Sequence, residues 1–200
     1  MLEVAIDTGP LHGHRTGIGN AVSWYLTELD RSADALDVSI TRYLTSMRAT
    51  TEPGERRLPV PAALALRWWA RADRPRLDRR LGSPHVVHGT NYVVPPTQAP
   101  RVVSVYDCWF LDHPESAHRD VRLASAALLR AMRDGATALV SSAATAERLG
   151  HHVDTDRIEV VHLGPPPAPD DGAGLGRADP GLIDRLADGP FVLSIGTVER

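Results

Sequence analysis

The chain contains no lysine, so all 22 of its basic residues are arginine. That absence excludes chemistry that needs a side-chain amine, such as a Schiff base or the phosphate-gripping lysine of a Walker A loop. There is one cysteine, Cys108, which excludes an intrachain disulfide framework and a multi-cysteine zinc site. Cys108 is read as a small neighbour of Asp107 and not as a nucleophile. No apolar run is long enough to span a bilayer, and the first residues lack a basic-then-apolar secretory pattern. The chain is therefore read as cytoplasmic. Its net charge is -3, so nothing global points to nucleic acid. The abundance of arginine and alanine is ascribed to coding bias.

What is present is 200 residues, 42% of them hydrophobic, enough for one substantial core or one and a fraction. Short apolar, β-branched runs read as strands at Val4 to Asp7, Val38 to Leu44, Val86 to His88, Val102 to Tyr106, Ala138 to Ser141 and Ile158 to Leu163. Helical patterns lie between them, at about 18–29, 62–81, 118–134 and 143–149. This alternation predicts an α/β fold with a doubly wound, mostly parallel sheet. Several strands are continuously apolar, as expected when helices cover both faces. Ligands of such sheets bind beyond the carboxyl ends of the strands, which directs attention to Thr8 to Asn20, His88 to Tyr92, Asp107 to Phe110 and Ser141 to Ser142.

The first of these stretches carries Thr16-Gly17-Ile18-Gly19-Asn20. Ile18, Val22, Tyr25, Leu26 and Leu29 share one helical face, so a helix opens at the glycines. Without a Cβ, Gly17 and Gly19 can adopt positive φ and expose N–H groups, and the positive end of the helix suits phosphate. The alternative is a tight, ligand-free connection. At the other end, residues 164–190 are rich in proline and glycine and read as a linker, with a short helix from Asp179-Pro180 to about Ala187. Phe191 to Ile195 reads as a strand ending in Gly196-Thr197. The expected organisation is a domain over 1–163, a linker over 164–190, and the first strand of a further domain over 191–200.

Six segments in order carry a resemblance. They are Arg15-Thr16-Gly17-Ile18-Gly19; His88-Gly89-Thr90-Asn91-Tyr92-Val93-Val94-Pro95-Pro96; Val103-Ser104-Val105-Tyr106-Asp107 with Phe110-Leu111 and His113-Pro114-Glu115; Val140-Ser141-Ser142; Arg157-Ile158-Glu159-Val160-Val161; and Phe191-Val192-Leu193-Ser194-Ile195-Gly196-Thr197. Together they resemble the N-terminal half of a family 4 glycosyltransferase of the GT-B fold, a group of retaining enzymes that use nucleotide-sugar donors. The resemblance implies a Rossmann-like acceptor domain facing a donor domain of which only the start is present. It implies donor contacts from Thr16, Gly17, Gly19, Gly196 and Thr197, and acceptor contacts from His88, Asn91, Tyr92 and Tyr106. No metal and no cofactor beyond the nucleotide sugar are expected, and the acceptor would be a glycan or a lipid-linked sugar, as in polysaccharide biosynthesis. The 200 residues alone would lack transferase activity, because most donor contacts lie in the missing half. A dinucleotide-binding reading is disfavoured, since Val22 stands where the third glycine belongs and Arg42-Tyr43-Leu44 stands where an acidic residue belongs. A non-catalytic α/β domain that binds nucleotides or sugars is the other alternative.

Glycosyl transfer needs donors for the departing diphosphate and an aimed acceptor oxygen. Asp107 is the catalytic candidate, orienting an acceptor hydroxyl; otherwise it caps the following turn. The family often has histidine before this aspartate, and here Tyr106 takes its place, so an imidazole role would fall to another residue such as His88. His88 and Asn91 either line the acceptor side of the cleft or pair locally. Asp154-Thr155-Asp156 matches a metal-binding D-x-D pattern but precedes its strand, so it is read as a solvated turn. His12 with His14, and His151 with His152, lack carboxylate or cysteine partners at ligand spacing and are read as polar loop residues. Within 67–80, six arginines face two aspartates beside Trp68 and Trp69. This run is either a peripheral membrane contact or a solvated arginine face, with Leu64, Trp68 and Ala72 sharing the packed side.

Overall fold

In a computed structural model of the chain, the described residues are 1–14, 16–166, Gly181 and Pro190. Among them, seven strands form one parallel sheet: β1 (Leu2–Asp7), β2 (Val38–Thr45), β3 (Arg56–Leu58), β4 (Val86–Gly89), β5 (Arg101–Val105), β6 (Thr137–Val140) and β7 (Ile158–Val160). Their order across the sheet is β3-β2-β1-β4-β5-β6-β7. The helices are α1 (Gly17–Ser32), α2 (Ala62–Trp69), α3 (Asp78–Leu81), α4 (Trp109–Asp112), α5 (Arg119–Arg133) and α6 (Ala143–Gly150). The architecture is Rossmann-like α/β, as the alternating pattern predicts. The chain divides into a compact unit, Met1–Pro165, and a second unit, Pro166–Arg200. The predicted strand at 191–195, the helix ending near 187, Gly196 and Thr197 lie outside the described residues, as does Arg15.

The two faces of the sheet are covered unequally. On one, Ala5, Val87, Val103, Val105, Ala138 and Val140 pack against Ala65 and Trp69 of α2, Leu128 and Met132 of α5, and Leu149 of α6. On the other, Ile6 meets Val22 and Leu26 of α1, flanked by Val4, Leu29 and Ile40. Each large aliphatic side chain removed from water here contributes roughly 1.5–3 kcal/mol. The expectation of helices across both faces holds only in part. β5 and β6 alternate strictly between buried and half-buried residues, because among the described residues only α1 covers the second face, over β1 and β2. Their outward positions, Ser104 and Leu139, line an open groove instead.

Three further differences have local causes. The helix expected over 62–81 is two helices, since Pro75 cannot donate to a helical ladder and Asp73 is drawn away to Arg101 at 2.7 Å. Asp78 then caps the loop ahead of β5, accepting from the N–H groups of Gln98 and Ala99. The packed side of α2 is Ala65 and Trp69, while Trp68 is 43% exposed, so the face formed by Leu64, Trp68 and Ala72 is not the buried one. β3 escapes detection because Arg56 and Arg57 leave only Leu58 as an apolar signal, a composition suited to a sheet edge. β7 ends at Val160 and does not continue to Leu163.

Gly89 ends β4 where the chain turns sharply on itself. Tyr92 there adopts φ 58°, and the Val93 N–H donates to the Asn91 carbonyl at 2.8 Å. This folds the Val93 carbonyl back so that a Cβ on Gly89 would lie 1.9 Å from its oxygen. Neither group is a flexible side-chain tip, so the backbone itself would have to move. Gly89→Ala is therefore expected to destabilise the protein by about 3 kcal/mol, as overpacking does in a tight core. Urea denaturation of the two proteins measures it, and an unchanged midpoint would contradict this account of the turn.

Candidate functional site

In an open parallel sheet, the crevice lies beyond the carboxyl ends of the strands where the winding changes direction. Here that point falls between β1 and β4, since β1 leads to β2 on one side and β4 to β5 on the other. Near the strand ends, side-chain hydroxyls add hydrogen bonds to backbone carbonyls, including the Tyr43 carbonyl that already accepts from the Thr8 N–H at 2.8 Å. Thr90 donates from Oγ1 to the Asp7 carbonyl at 2.9 Å and Thr8 to the Tyr43 carbonyl at 2.9 Å. The Tyr43 hydroxyl reaches the His88 carbonyl at 3.3 Å, and the Tyr106 hydroxyl the Thr90 carbonyl at 3.0 Å. Ser141 and Thr145 complete the row on the Tyr106 carbonyl, at 3.4 and 3.3 Å.

Helix α1 starts at this rim. Thr16 is its N-cap, with Oγ1 accepting from the Gly19 N–H at 3.4 Å. Gly17 and Gly19 are both inside the first helical turn, so neither uses the positive φ anticipated for them; that conformation falls on Gly13, at φ 85°. Gly19 is buried, whereas Gly17 is exposed and a Cβ there would meet nothing within 4 Å. Among the described residues nothing covers Gly17, and the macrodipole makes this helix end attractive to anions.

The remaining predicted site residues divide into three places. His88 and Tyr106 line a groove of about 500 Å³ whose other wall includes Trp24, Tyr25 and Leu29 of α1. Asn91 opens on a separate cavity with Asp7. Tyr92 and Asp107 pair with each other, the Tyr92 hydroxyl donating to Asp107 Oδ2 at 2.9 Å while Oδ1 accepts from the Trp109 N–H at 3.2 Å. Asp107 is exposed and caps the turn into α4, the local role set out above as its alternative.

His88 is buried against the edge of Tyr25, with ring centroids 5.7 Å apart, and its Nε2 pairs with Ser104 Oγ at 2.9 Å. Burial pushes its pKa down to about 4, so the ring is neutral at physiological pH and cannot supply the positive charge of an imidazolium. Burial raises the Cys108 thiol to about 11, in keeping with the non-nucleophilic reading.

Two residues gain importance that sequence reasoning passed over. Asp7, the last residue of β1, accepts from the Gly9 N–H at 3.0 Å and is raised to about 6, chiefly by burial. The side chain of Glu55 is 2% exposed and accepts from Thr8, from His12 Nε2 at 3.0 Å and from the Glu52 N–H at 3.0 Å. Burial raises this carboxyl, but the hydrogen bonds outweigh burial and hold it below the usual range. Asp7 was legible as a carboxylate closing an apolar strand. Glu55 was not, because its side-chain partners, Thr8 and His12, lie more than forty positions away. The carboxylates thought missing from the histidine pairs likewise come from distant segments, Glu55 for His12 and Asp112 for His152 at 3.1 Å. Asp154 caps a short turn, accepting from the Asp156 N–H at 3.1 Å. Among the described residues no three potential ligands come together to hold a metal.

No protein-family model matches the chain, and no curated protein matches it.

The native Asp7 pKa of about 6 lies above its ordinary 3.8, so between these values the folded protein binds more protons than the unfolded chain. Stability from this group is therefore full below about 4 and lost as pH rises through about 6. Asp7→Asn is expected to be more stable than the parent at pH 8 by about 1 kcal/mol or more, and no more stable at pH 4. Denaturant midpoints at the two pH values test this, and a variant weakened at pH 8 would overturn it.

Proposed function

We propose that the chain forms the acceptor-side half of a retaining glycosyltransferase that draws a hexose from a nucleotide-sugar donor. The observation that supports the reading is the exposed Gly17 at the N-terminus of α1, standing at the same strand-end rim as His88, Tyr106 and Asp107. The reaction places negative charge on a departing diphosphate, and exposed N–H groups on a helix dipole are suited to receive it. The acceptor oxygen attacks from the face that the diphosphate leaves, which requires no protein nucleophile. Thr16, Gly17 and Gly19 serve the donor in this reading, joined by Gly196 and Thr197, while His88, Asn91, Tyr92 and Tyr106 serve the acceptor. No metal takes part.

The local pairing of both Asp107 oxygens and the neutral state of His88 favour a second reading, an α/β domain that binds a nucleotide or sugar without turnover. Equilibrium binding of uridine, guanosine, adenosine and thymidine diphosphate hexoses, followed by a transfer assay on sugar and lipid-linked acceptors, separates the two. Binding of one donor is expected, weakened at least about tenfold by Gly17→Asp, which sets a carboxylate against the phosphates. Because the 200 residues alone would lack transfer, both assays use the chain joined to its donor-side half; there, binding without transfer selects the second reading, and binding of none of the donors removes both.

The acceptor also bears on the membrane. No described helix is long and apolar enough to cross one. Yet exposed Trp68 lines a surface hollow with Arg71, Arg74 and Arg76, a composition suited to an anionic lipid surface. Co-sedimentation with phosphatidylglycerol vesicles at low salt is expected, with loss in Trp68→Ala and in Arg71→Glu combined with Arg74→Glu. Parent protein that stays in the supernatant would exclude peripheral attachment through 67–80.

A further inference from the structure

Thr90 divides the crevice. On the side away from the groove of α1 lies a cavity of about 200 Å³, below the roughly 300 Å³ at which drug-sized sites begin. It is framed by the loop after β1, the ends of β2 and α2, and the turn after Gly89. Tyr43 and Trp69 form an aromatic wall, and the polar side chains that reach the cavity are Asp7, Thr45 and Asn91, besides the Tyr43 hydroxyl already engaged by the His88 carbonyl.

Charge sets the chemistry. Asp7 is the one charged side chain among the described residues that line the cavity. The other ionisable groups near it are Glu55, His12, Tyr43 and Tyr106. Glu55 is a second carboxylate, and His12 is already bonded to it. The two phenols are raised by burial and stay neutral. No arginine forms an ion pair with Asp7 among the described residues, although arginines pair with Asp30, Asp73, Asp112 and Asp134 elsewhere. A carboxylate against aromatic walls without a cation disfavours a phosphate and offers a neutral sugar only hydrogen bonds. It offers an ammonium group a charge-assisted hydrogen bond beside aromatic side chains.

We propose that this cavity recognises a single hydroxylated ring bearing a primary ammonium group, with Asp7 as counter-ion and Asn91 and Thr45 as partners for its hydroxyls. The acceptor class of the transferase would then be an amino sugar or aminocyclitol; that assignment rests on the function proposed above, whereas the binding itself does not.

The probe is 6-amino-6-deoxyglucose, compared with glucose and glucose 6-phosphate, titrated into the 200-residue chain and followed by calorimetry and NMR. The amine is expected to bind at least about tenfold more tightly than glucose, and glucose 6-phosphate more weakly than glucose. Because the carboxylate must be ionised, affinity for the amine falls about tenfold from pH 7.5 to pH 5, and binding near pH 6 releases protons. Asp7→Asn, expected to fold at least as well as the parent at neutral pH, abolishes the preference for the amine, and Asn91→Ala weakens amine and glucose alike. Equal binding of amine and glucose, or amine binding undiminished in Asp7→Asn, overturns the proposal. Nucleotide-sugar binding, measured with the donor-side half joined to the chain, separates the two ideas. Retained donor binding without amine binding removes only the cavity assignment, and amine binding without donor binding removes only the transferase.

Discussion

At the carboxyl rim of a parallel sheet, backbone carbonyls run short of ladder partners where the chain must leave the core. This protein answers that constraint with side-chain hydroxyls running across the strands, from Thr90 on the Asp7 carbonyl to Ser141 and Thr145 on the Tyr106 carbonyl. Among the described residues no buried side-chain nitrogen or oxygen is left without a partner. Satisfied in this way, the rim can hold a narrow crevice without the cost of orphaned polar groups. Beside this row stand Gly17 at the start of α1, the amide of Asn91 and the carboxylate of Asp7, which accepts from the Gly9 N–H.

Those groups carry opposite preferences. The N-terminus of α1 suits an anion and the Asp7 carboxylate suits a cation. His88 adds shape and not charge, since burial keeps its ring neutral. Tyr106 takes a similar part, its hydroxyl tying the end of β5 to that of β4.

The apolar groove beside α1 follows from unequal coverage of the sheet. α2, α5 and α6 gather on one face, so the exposed halves of β5 and β6 need not be apolar, and Ser104 can stand where a second helical layer would have required a hydrophobe. The exposed Trp24, Tyr25 and Leu36 border the same groove, giving it one aromatic and aliphatic wall.

The sequence by itself determined the architecture. Periods of apolar residues in β1, β4, β5 and β6, and one-sided patterns in α1 and α5, are local properties of the chain, and hydrophobic burial acts on them directly. It also marked the rim, because residues that follow strands in a doubly wound sheet must lie there, and His88, Asn91, Tyr106 and Asp107 all do. Tertiary structure alone decided how these residues are shared out. It set His88 and Tyr106 on one side of Thr90 and Asn91 on the other, turned Asp107 toward Tyr92 and Trp109, and brought Glu55 under Thr8 and His12. Pairings across tens of positions depend on strand order, which leaves no local periodicity to read. The ionisation of Asp7 and His88 was equally out of reach of the sequence, because it is burial that raises the one and lowers the other, and burial exists only once the strands have come together.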